Sequence, residues 1–437
     1  MADLLYWVWL NTRLTPGTDA FAKLRASFSS PKEIFDADED TLKNVLGARA
    51  SATLQSLLDK DLRAAHRILD FAAAKNVGIL TYDDPAFPRR LREIADPPVL
   101  LYYAGHLPDM ENTYCVGVVG SRDCGDYGAR MTFEIAHDLA VGGATVVSGL
   151  AYGADGIAAA AAIAGGGNTL AVLGSGIDVI YPKEHVKLAR SVAAHGAVLT
   201  EYPPGTKPFG AHFPVRNRII SGLSDALLVT SATLDSGALI TARLAKTQGR
   251  KLYALPGNVD DPHCEGTALL LREGARAAVC AEDLLYPEQD NYPGVINLFR
   301  LMEAVPLQMD KTLAAAQVSY RPRRRGILHA ETEKKHEKSG KPMTQQDALT
   351  SQECEKVADA PAAFQEEPDL TALDDISRKL YEQIPLSGDC SKDELILEGI
   401  SSAKITVAIT KLEIKHLVKI LPGGRIARAA APARKEK

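Results

Sequence analysis

From about Gly78 the chain alternates two rhythms. Short apolar runs, "YCVGVVGS", "ATVVSGL", "NTLAVLGSG", "GAVLTEY", "DALLVTS", "KLYALPG" and "ARAAVC", are each bounded by Gly, Ser or Pro. Between them lie stretches with helical spacing, such as "ARMTFEIAHDLAVG", "GIAAAAAIAG", "EHVKLARSVAAHG" and "SGALITARLAKTQG". Strands that read as continuous apolar runs are buried on both faces, and their alternation with helices of roughly 10–15 residues predicts a parallel sheet. The region is therefore a doubly wound α/β domain.

The flanking chain follows other patterns. Residues 1–77 read as short helices. In "SPKEIFDADEDTLKNVLG" a Ser30-Pro31 start precedes Ile34, Phe35, Leu42, Val45 and Leu46 at helical spacing. "TLQSLLDKDLRAAHRILDFAAAKN" reads as one longer amphipathic helix. Short helices around loops of small residues resemble a helix-hairpin-helix or sterile-alpha-motif module. After about Pro287 the periodicity decays. Asn291 to Ala316 has room for one or two helices; "RPRRRG" and "KKHEK" then form a basic block, and Gln346 to Asp375 an acidic one. Neither block has enough apolar periodicity to pack, so 289–368 is expected to be a linker with segregated charge, flexible from about residue 318. Over 369–437, helices are expected in "DDISRKLYEQI", "SKDELILEG" and "SAKITVAITKLEIKH", and a two-stranded wing in "LVKILPGGRIARA" with Pro422-Gly423-Gly424 at its tip. Three helices and a hairpin predict a winged helix-turn-helix. The expected architecture is thus α/β, with an extended Rossmann-like domain over 78–288 between a small helical N-terminal domain and a C-terminal winged helix.

Composition narrows the function classes. The 437-residue chain is 46% hydrophobic and carries a formal net charge of -5, so any affinity for nucleic acid must come from local patches. The six cysteines, Cys115, Cys124, Cys264, Cys280, Cys354 and Cys390, include no C-x-x-C pair. That argues against zinc and a disulfide framework and for a reducing, cytoplasmic setting. No window of about 18 uninterrupted apolar residues occurs, and "MADLLYWVWLNTRL" lacks the layout of a secretion signal, so no membrane association is expected. There is no G-x-x-x-x-G-K-[ST] loop and no H-E-x-x-H or Cys/His cluster, and neither a cofactor nor a metal is expected.

What the sheet region does carry is a series of Gly/Ser loops where strands meet helices. "VVGSRDCGDYG" supplies Gly120, Ser121 and Arg122; "VVSGLAYGADG" supplies Ser148, Gly149, Gly153 and Asp155; "VLGSGIDVIYP" supplies Gly174, Ser175, Gly176 and Asp178. Such loops expose backbone N–H groups and aim helix N-termini at an anion, and Arg122 adds a bidentate phosphate donor. Gly117, Gly120 and Gly125 do not keep the G-x-G-x-x-G spacing of a dinucleotide fingerprint. Asp155 and Asp178 read as helix N-caps. Ligands bind at the carboxyl edge of such sheets, so the loops together predict an anion site. "FPVRNRIISGLSDALLV" adds Arg216, Asn217 and Arg218 on a helix just before a central strand, with Phe213 as a face for stacking a base. The alternative for either arginine is an ion pair with Asp225 or Glu201 inside the domain. Ser236 and Gly237 open a further helix. Ser148 and Ser175 have no evident histidine base and Glu201 is the best-placed general base, so phosphate binding is better supported than catalysis.

Taken in order, "GSR" (120–122), "SGLAYGAD" (148–155), "GSGIDVIYP" (174–182), "TEYPPG" (200–205), "FPVRNRIISGLS" (213–224), "SGALITA" (236–242) and "PG" (256–257) resemble the DNA-processing protein A family, DprA or Smf. The likeness covers about residues 80–285. It implies a non-enzymatic single-stranded-DNA-binding protein of natural transformation, which protects incoming strands and helps load RecA recombinase, typically as a homodimer. Carried onto this sequence, it implies DNA contacts at Ser121, Arg122, Phe213, Arg216, Asn217 and Arg218, with Lys207 and Lys246 as further cations. Ala159, His185, Thr200 and Ala268 stand where the family commonly has histidine, asparagine, serine and asparagine. These departures spare the DNA-facing motifs and weaken the case for a small-molecule pocket. In the expected winged domain, Lys404, Lys411, Lys415, Arg425 and Arg428 suit duplex DNA while Glu413 dilutes the charge, so DNA and protein docking are both open.

Two other classes compete. Lysine-decarboxylase-like phosphoribohydrolases carry a P-G-G-x-G-T-x-x-E loop, but "LPGNVDDPHCEGTALLL" breaks the glycine run and lacks the glutamate. A sensor of a free dinucleotide would need the fingerprint spacing that is missing.

Overall fold

In the computed structural model of the chain, the described residues are 2–47, 50–303, 308–318, 375–384, 408–409, 411–412, 417–421 and 425–428. They belong to two compact units, Met1–Ala330 and Glu331–Lys437. Of the linker expected over 289–368, residues 319–368 lie outside the described residues, whereas the described part of 289–318 packs on the domain, with Ile296, Leu313 and Val318 buried in its core cluster.

The larger unit opens with six helices, α1 (Ala2–Arg13), α2 (Ala20–Ser27), α3 (Pro31–Asp36), α4 (Glu39–Leu46), α5 (Ser51–Leu58) and α6 (Arg63–Lys75). Ser30 caps α3, its hydroxyl accepting from the Glu33 N–H at 3.2 Å, and Asp38 caps α4 through the Thr41 N–H at 2.8 Å. The single long helix expected from "TLQSLLDKDLRAAHRILDFAAAKN" is instead α5 and α6, broken at Asp59–Leu62. The physical reason is local. The Asp59 carboxylate accepts from the Asp61 N–H at 3.0 Å and that of Asp61 from the Arg63 N–H at 2.9 Å, turns that compete with the helix ladder.

The rest of the unit is built on a nine-stranded sheet. In chain order it contains β1 (Gly78–Thr81), α7 (Arg89–Arg92), β2 (Leu100–Gly105), β3 (Cys115–Gly120), α8 (Gly125–Val141), β4 (Thr145–Ser148) and α9 (Ala154–Ala164). It continues with β5 (Thr169–Val172), α10 (Val186–Ala194), β6 (Gly196–Thr200), α11 (His212–Leu223), β7 (Ala226–Ser231), α12 (Gly237–Thr247), β8 (Lys251–Ala254), α13 (Glu265–Arg272), β9 (Arg276–Ala277) and α14 (Glu282–Leu285). The strand order is β1-β2-β6-β5-β4-β3-β7-β8-β9. From β6 to β9 every pairing is parallel, whereas β2 runs antiparallel to β6 and β1 antiparallel to β2. The sheet is therefore mixed at one edge, where a wholly parallel one was expected. "ILT" and "LLYYAG" are short β-rich runs separated only by a loop with the one-turn α7, too short a helix to cover the sheet as a crossover, and they pair as antiparallel neighbours.

Period-2 alternation divides the core. Val116, Val118, Val146, Ala171, Ala226 and Leu228 pack with α8, α9 and α10, and Val147, Leu170, Val172, Leu227 and Val229 with α11 and α12. Two further helices, α15 (Phe299–Glu303) and α16 (Met309–Ala316), occupy the stretch where one or two were expected. Leu313 and Val318 bury in the same cluster as α9. The smaller unit contains α17 (Asp375–Gln383) and an antiparallel hairpin, β10 (Val418–Leu421) with β11 (Arg425–Arg428), around Leu380, Tyr381, Ile409, Leu412, Val418 and Ile426. The expected helix over 391–399, most of that over 402–416, and the wing tip lie outside the described residues.

The N-terminal helices are tied to the sheet by one buried polar residue. Asn11 donates to the Glu201 carbonyl at 3.1 Å and accepts from the Tyr102 hydroxyl at 3.0 Å. Asn11→Ala leaves both buried partners unsatisfied and should lower unfolding stability by about 2–4 kcal/mol, read from the urea midpoint at unchanged m-value.

Candidate nucleic-acid interface

The strand order reverses between β3 and β7, with the earlier strands on one side and the later ones on the other. Loops leaving the carboxyl ends of these neighbours diverge to opposite faces and open a crevice between them. A register shift between Val119 and Gly120 bends the end of β3 at this point. The crevice is a cleft of about 730 Å³, lined from β3–α8 by Gly120, Ser121 and Arg122, from α11 by Phe213, Arg216 and Asn217, and from the start of α12 by Ser236 and Gly237. Ser121 joins the two loops. Its N–H donates to the Ser231 carbonyl at 3.0 Å, and its hydroxyl to that of Ser236 at 3.1 Å. Ser236 in turn caps α12, accepting from the Ala238 N–H at 3.3 Å.

Helix α11 sorts its own residues by angle. At 3.6 residues per turn, Phe213, Arg216, Asn217 and Ile220 share one face, and all four line the cleft. Arg216 and Arg218 stand about 200° apart on the same helix. The two arginines therefore do not form one anion site. Arg218 is 2% exposed and lies on the far side, its Nη2 on Glu201 at 2.6 Å and its Nε on Asp96 at 3.0 Å. That is the internal pairing with Glu201 left open by the sequence; Asp225 is instead bonded to Arg90. Burial pushes the Glu201 carboxyl up, and Arg218 pulls it back.

Arg216 is also enclosed, at 3% exposure. Its Nη1 donates to the carbonyls of Gly149, at 2.7 Å, and Val172, and its Nε to the Asn217 side chain at 3.1 Å. Burial lowers its affinity for the proton, and the nearby Asp155 carboxylate opposes that shift. Gly149 is needed for this arrangement, because a Cβ there would meet the guanidinium at 2.2 Å. Its predicted role as a phosphate-cradling glycine gives way to housing Arg216. Arg122 and Arg216 both approach the Phe213 ring, at 5.8 and 6.0 Å from its centroid.

The remaining predicted residues are placed elsewhere. Ser148 and Ser175 are buried and donate to the carbonyls of Val118 and Val179 at 2.7 and 2.6 Å. Gly174 lies against the Phe213 ring, and the Gly176 N–H donates to Thr206 at 2.9 Å. Lys207 is exposed on the loop before α11, beside the cleft-lining Pro208. Lys246, on the last turn of α12, lines a different groove with Arg243 and Arg276. Neither aspartate is an N-cap. Asp155 sits inside the first turn of α9, buried and raised by that burial, while Asp178 accepts from the Gly205 N–H at 2.7 Å.

The sequence reading also missed two aromatic residues near this edge. Tyr181 lines the cleft beside Phe213, their ring centroids 5.6 Å apart, and Phe209 is 65% exposed on the adjoining loop. Tyr181 is the penultimate residue of the quoted "GSGIDVIYP", and an aromatic five residues after the last glycine of a Gly/Ser loop was the available signal.

Comparison with known proteins places the sheet domain in a family. The model of the DNA recombination-mediator protein A family matches residues 78–288. Protein Smf of Synechocystis sp. is 44% identical over 48% of this chain and 54% of its own length. DNA processing protein DprA of Bacillus subtilis is 36% identical over 54% of this chain and 79% of its own. The chain belongs to the DprA/Smf family. The X-ray structure of DNA processing protein A from Streptococcus pneumoniae covers 62% of this chain and 98% of that one, at 32% identity and a TM-score of 0.53. The family region begins at β1 and ends after α14, so it contains the whole cleft and leaves α1–α6 outside it. The match spans about half the length of the Synechocystis relative.

The burial of Arg218 makes a prediction that separates it from its neighbours. Arg218→Met should destabilise the fold by about 3–5 kcal/mol in urea, because Glu201 is left buried without its cation. Adding Glu201→Leu should recover most of the loss.

Proposed function

We propose that the cleft holds single-stranded DNA and that the protein is a DNA-processing protein acting on strands destined for recombination. One observation carries this reading. A free guanidinium (Arg122), an aromatic face (Phe213) and a capped helix start (Ser236, Gly237) converge in one groove at the switch point of the sheet. Those are the parts that hold a strand without reading its sequence: cations and N–H groups for phosphates, a ring for a base. The names of the relatives agree with it, being DNA processing proteins within a recombination-mediator family.

The family resemblance carries the proposal further. The protein would protect strands taken up in natural transformation and help load RecA onto them, in the cytoplasm and as a homodimer. Among the described residues no helix is long and apolar enough to cross a membrane. In the smaller unit, α17 and the β10–β11 hairpin fit the first helix and the wing of a winged-helix domain, and the N-terminal helices fit an accessory module.

Binding of a labelled oligo-dT of ~20 nucleotides, followed by fluorescence anisotropy, tests the reading. Affinity should fall with salt, and Arg122→Ala should weaken it several-fold while flattening the log–log salt slope by about 0.7, one phosphate contact on a single strand. Equal binding by parent and variant, or none by either, removes the cleft as the DNA site. Arg122 suits this test better than Arg216, whose truncation would also leave two buried carbonyls without a donor.

A further inference from the structure

The charge in the cleft is not that of a groove built mainly for phosphates. Two guanidiniums, Arg122 and Arg216, share the lining with three carboxyls, Asp123, Asp155 and Asp235. Arg216 is committed to the carbonyls of Gly149 and Val172. Arg122 has no hydrogen-bond partner among the described residues, and Lys207 stands exposed just outside the lining. One or two phosphates can thus be neutralised at this site.

The cleft also offers aromatic surface, from Phe213 and Tyr181. Tyr181 is 40% exposed and shares the wall with Phe213, its ring plane tilted 43° to that of Phe213. Rings at that tilt cannot lie flat on the same base, so each presents a face to a different one. Phe213 already has Arg122 and Arg216 beside it, whereas neither cation is placed over Tyr181. Ala238 and Ile240 of α12 add apolar surface to the same lining. Rings and apolar side chains in one groove suit unpaired bases, which a duplex keeps stacked inside.

We propose that Tyr181 is a second base-stacking residue of the cleft, holding the base next to the one on Phe213. The site grips an unpaired strand chiefly by its bases, and Arg122 adds a small phosphate component. The inference rests on the cleft being the single-stranded DNA site.

A salt series on the full chain separates the two contributions. For the parent, the slope of log affinity against log salt should lie near -0.7 to -1.4, one to two phosphates. Tyr181→Leu should weaken oligo-dT binding by about 5- to 150-fold at every salt concentration, giving a line parallel to that of the parent. Tyr181→Phe, which keeps the ring, should bind within about twofold of the parent, since every base stacks on a π-face. On an abasic strand of the same length, Tyr181→Leu and the parent should bind equally. The proposal is overturned if Tyr181→Leu binds oligo-dT like the parent, or if its loss is as large on the abasic strand. It is also overturned if the slope changes with the ring. Failure of the parent to bind oligo-dT at all sinks the reading of the cleft itself, a separate result. Matching circular dichroism melts of Tyr181→Leu and Tyr181→Phe show whether the fold is intact.

Discussion

The candidate site depends on one buried cation. Arg216 sits beneath the cleft with its guanidinium on the carbonyls of Gly149 and Val172, the groups that follow β4 and close β5. A buried charge without such partners would be expensive. Here two carbonyl dipoles, the Asn217 side chain and the field of Asp155 take the place of water. The result is a fixed bond between α11 and the carboxyl edge of the sheet. Phe213, one turn earlier, is thereby held at the mouth of the cleft, and the ring cannot drift without pulling the guanidinium from its carbonyls.

The same helix faces a second network on its other side. Arg218 joins Glu201 and Asp96, and the backbone carbonyl of Glu201 accepts from Asn11 of α1. An Arg-Asn-Arg tripeptide thus links three things: the switch-point edge through Arg216, the strand end at Glu201 through Arg218, and, by way of Glu201, the N-terminal helices. The two guanidiniums do different work because a helix turns 100° per residue. Proximity in sequence placed them together; the helical screw separates them.

Much of the sheet was legible because its strands are buried on both faces, and continuous apolar runs such as "VGVV" and "ALLV" have few alternatives. The Gly/Ser loops marked the carboxyl edge correctly, and Ser121, Arg122, Phe213, Asn217, Ser236 and Gly237 do meet there. Legibility failed where meaning depends on what lies across space. Gly149 resembles a phosphate-cradling glycine, and only the fold shows a guanidinium occupying the space of its missing side chain. Ser148 and Ser175 carry the right chemistry, yet their hydroxyls are spent on local carbonyls. The antiparallel edge of β1 and β2 escaped because strand direction is set by connections, which short apolar runs do not encode. Asp59 and Asp61 broke a helix that periodicity alone had joined.

A chain of net charge -5 can still favour a polyanion when the relevant field is local. At this edge the field is modest, since Asp123 and Asp235 share the lining with Arg122. If the groove holds a strand as proposed, selectivity has to come from shape and from rings. A groove framed by fully buried strands and two capped or pinned helices is rigid before any ligand arrives, so under the proposed reading the ordering on binding would fall almost entirely on the DNA strand. Duplex DNA offers such a groove phosphates but no free base faces, and a free nucleotide offers one base where the wall has room for more. The carboxylates beside Arg122 sharpen that choice. In the proposed reading they would weaken a ligand that brings only charge and leave standing one that also brings bases.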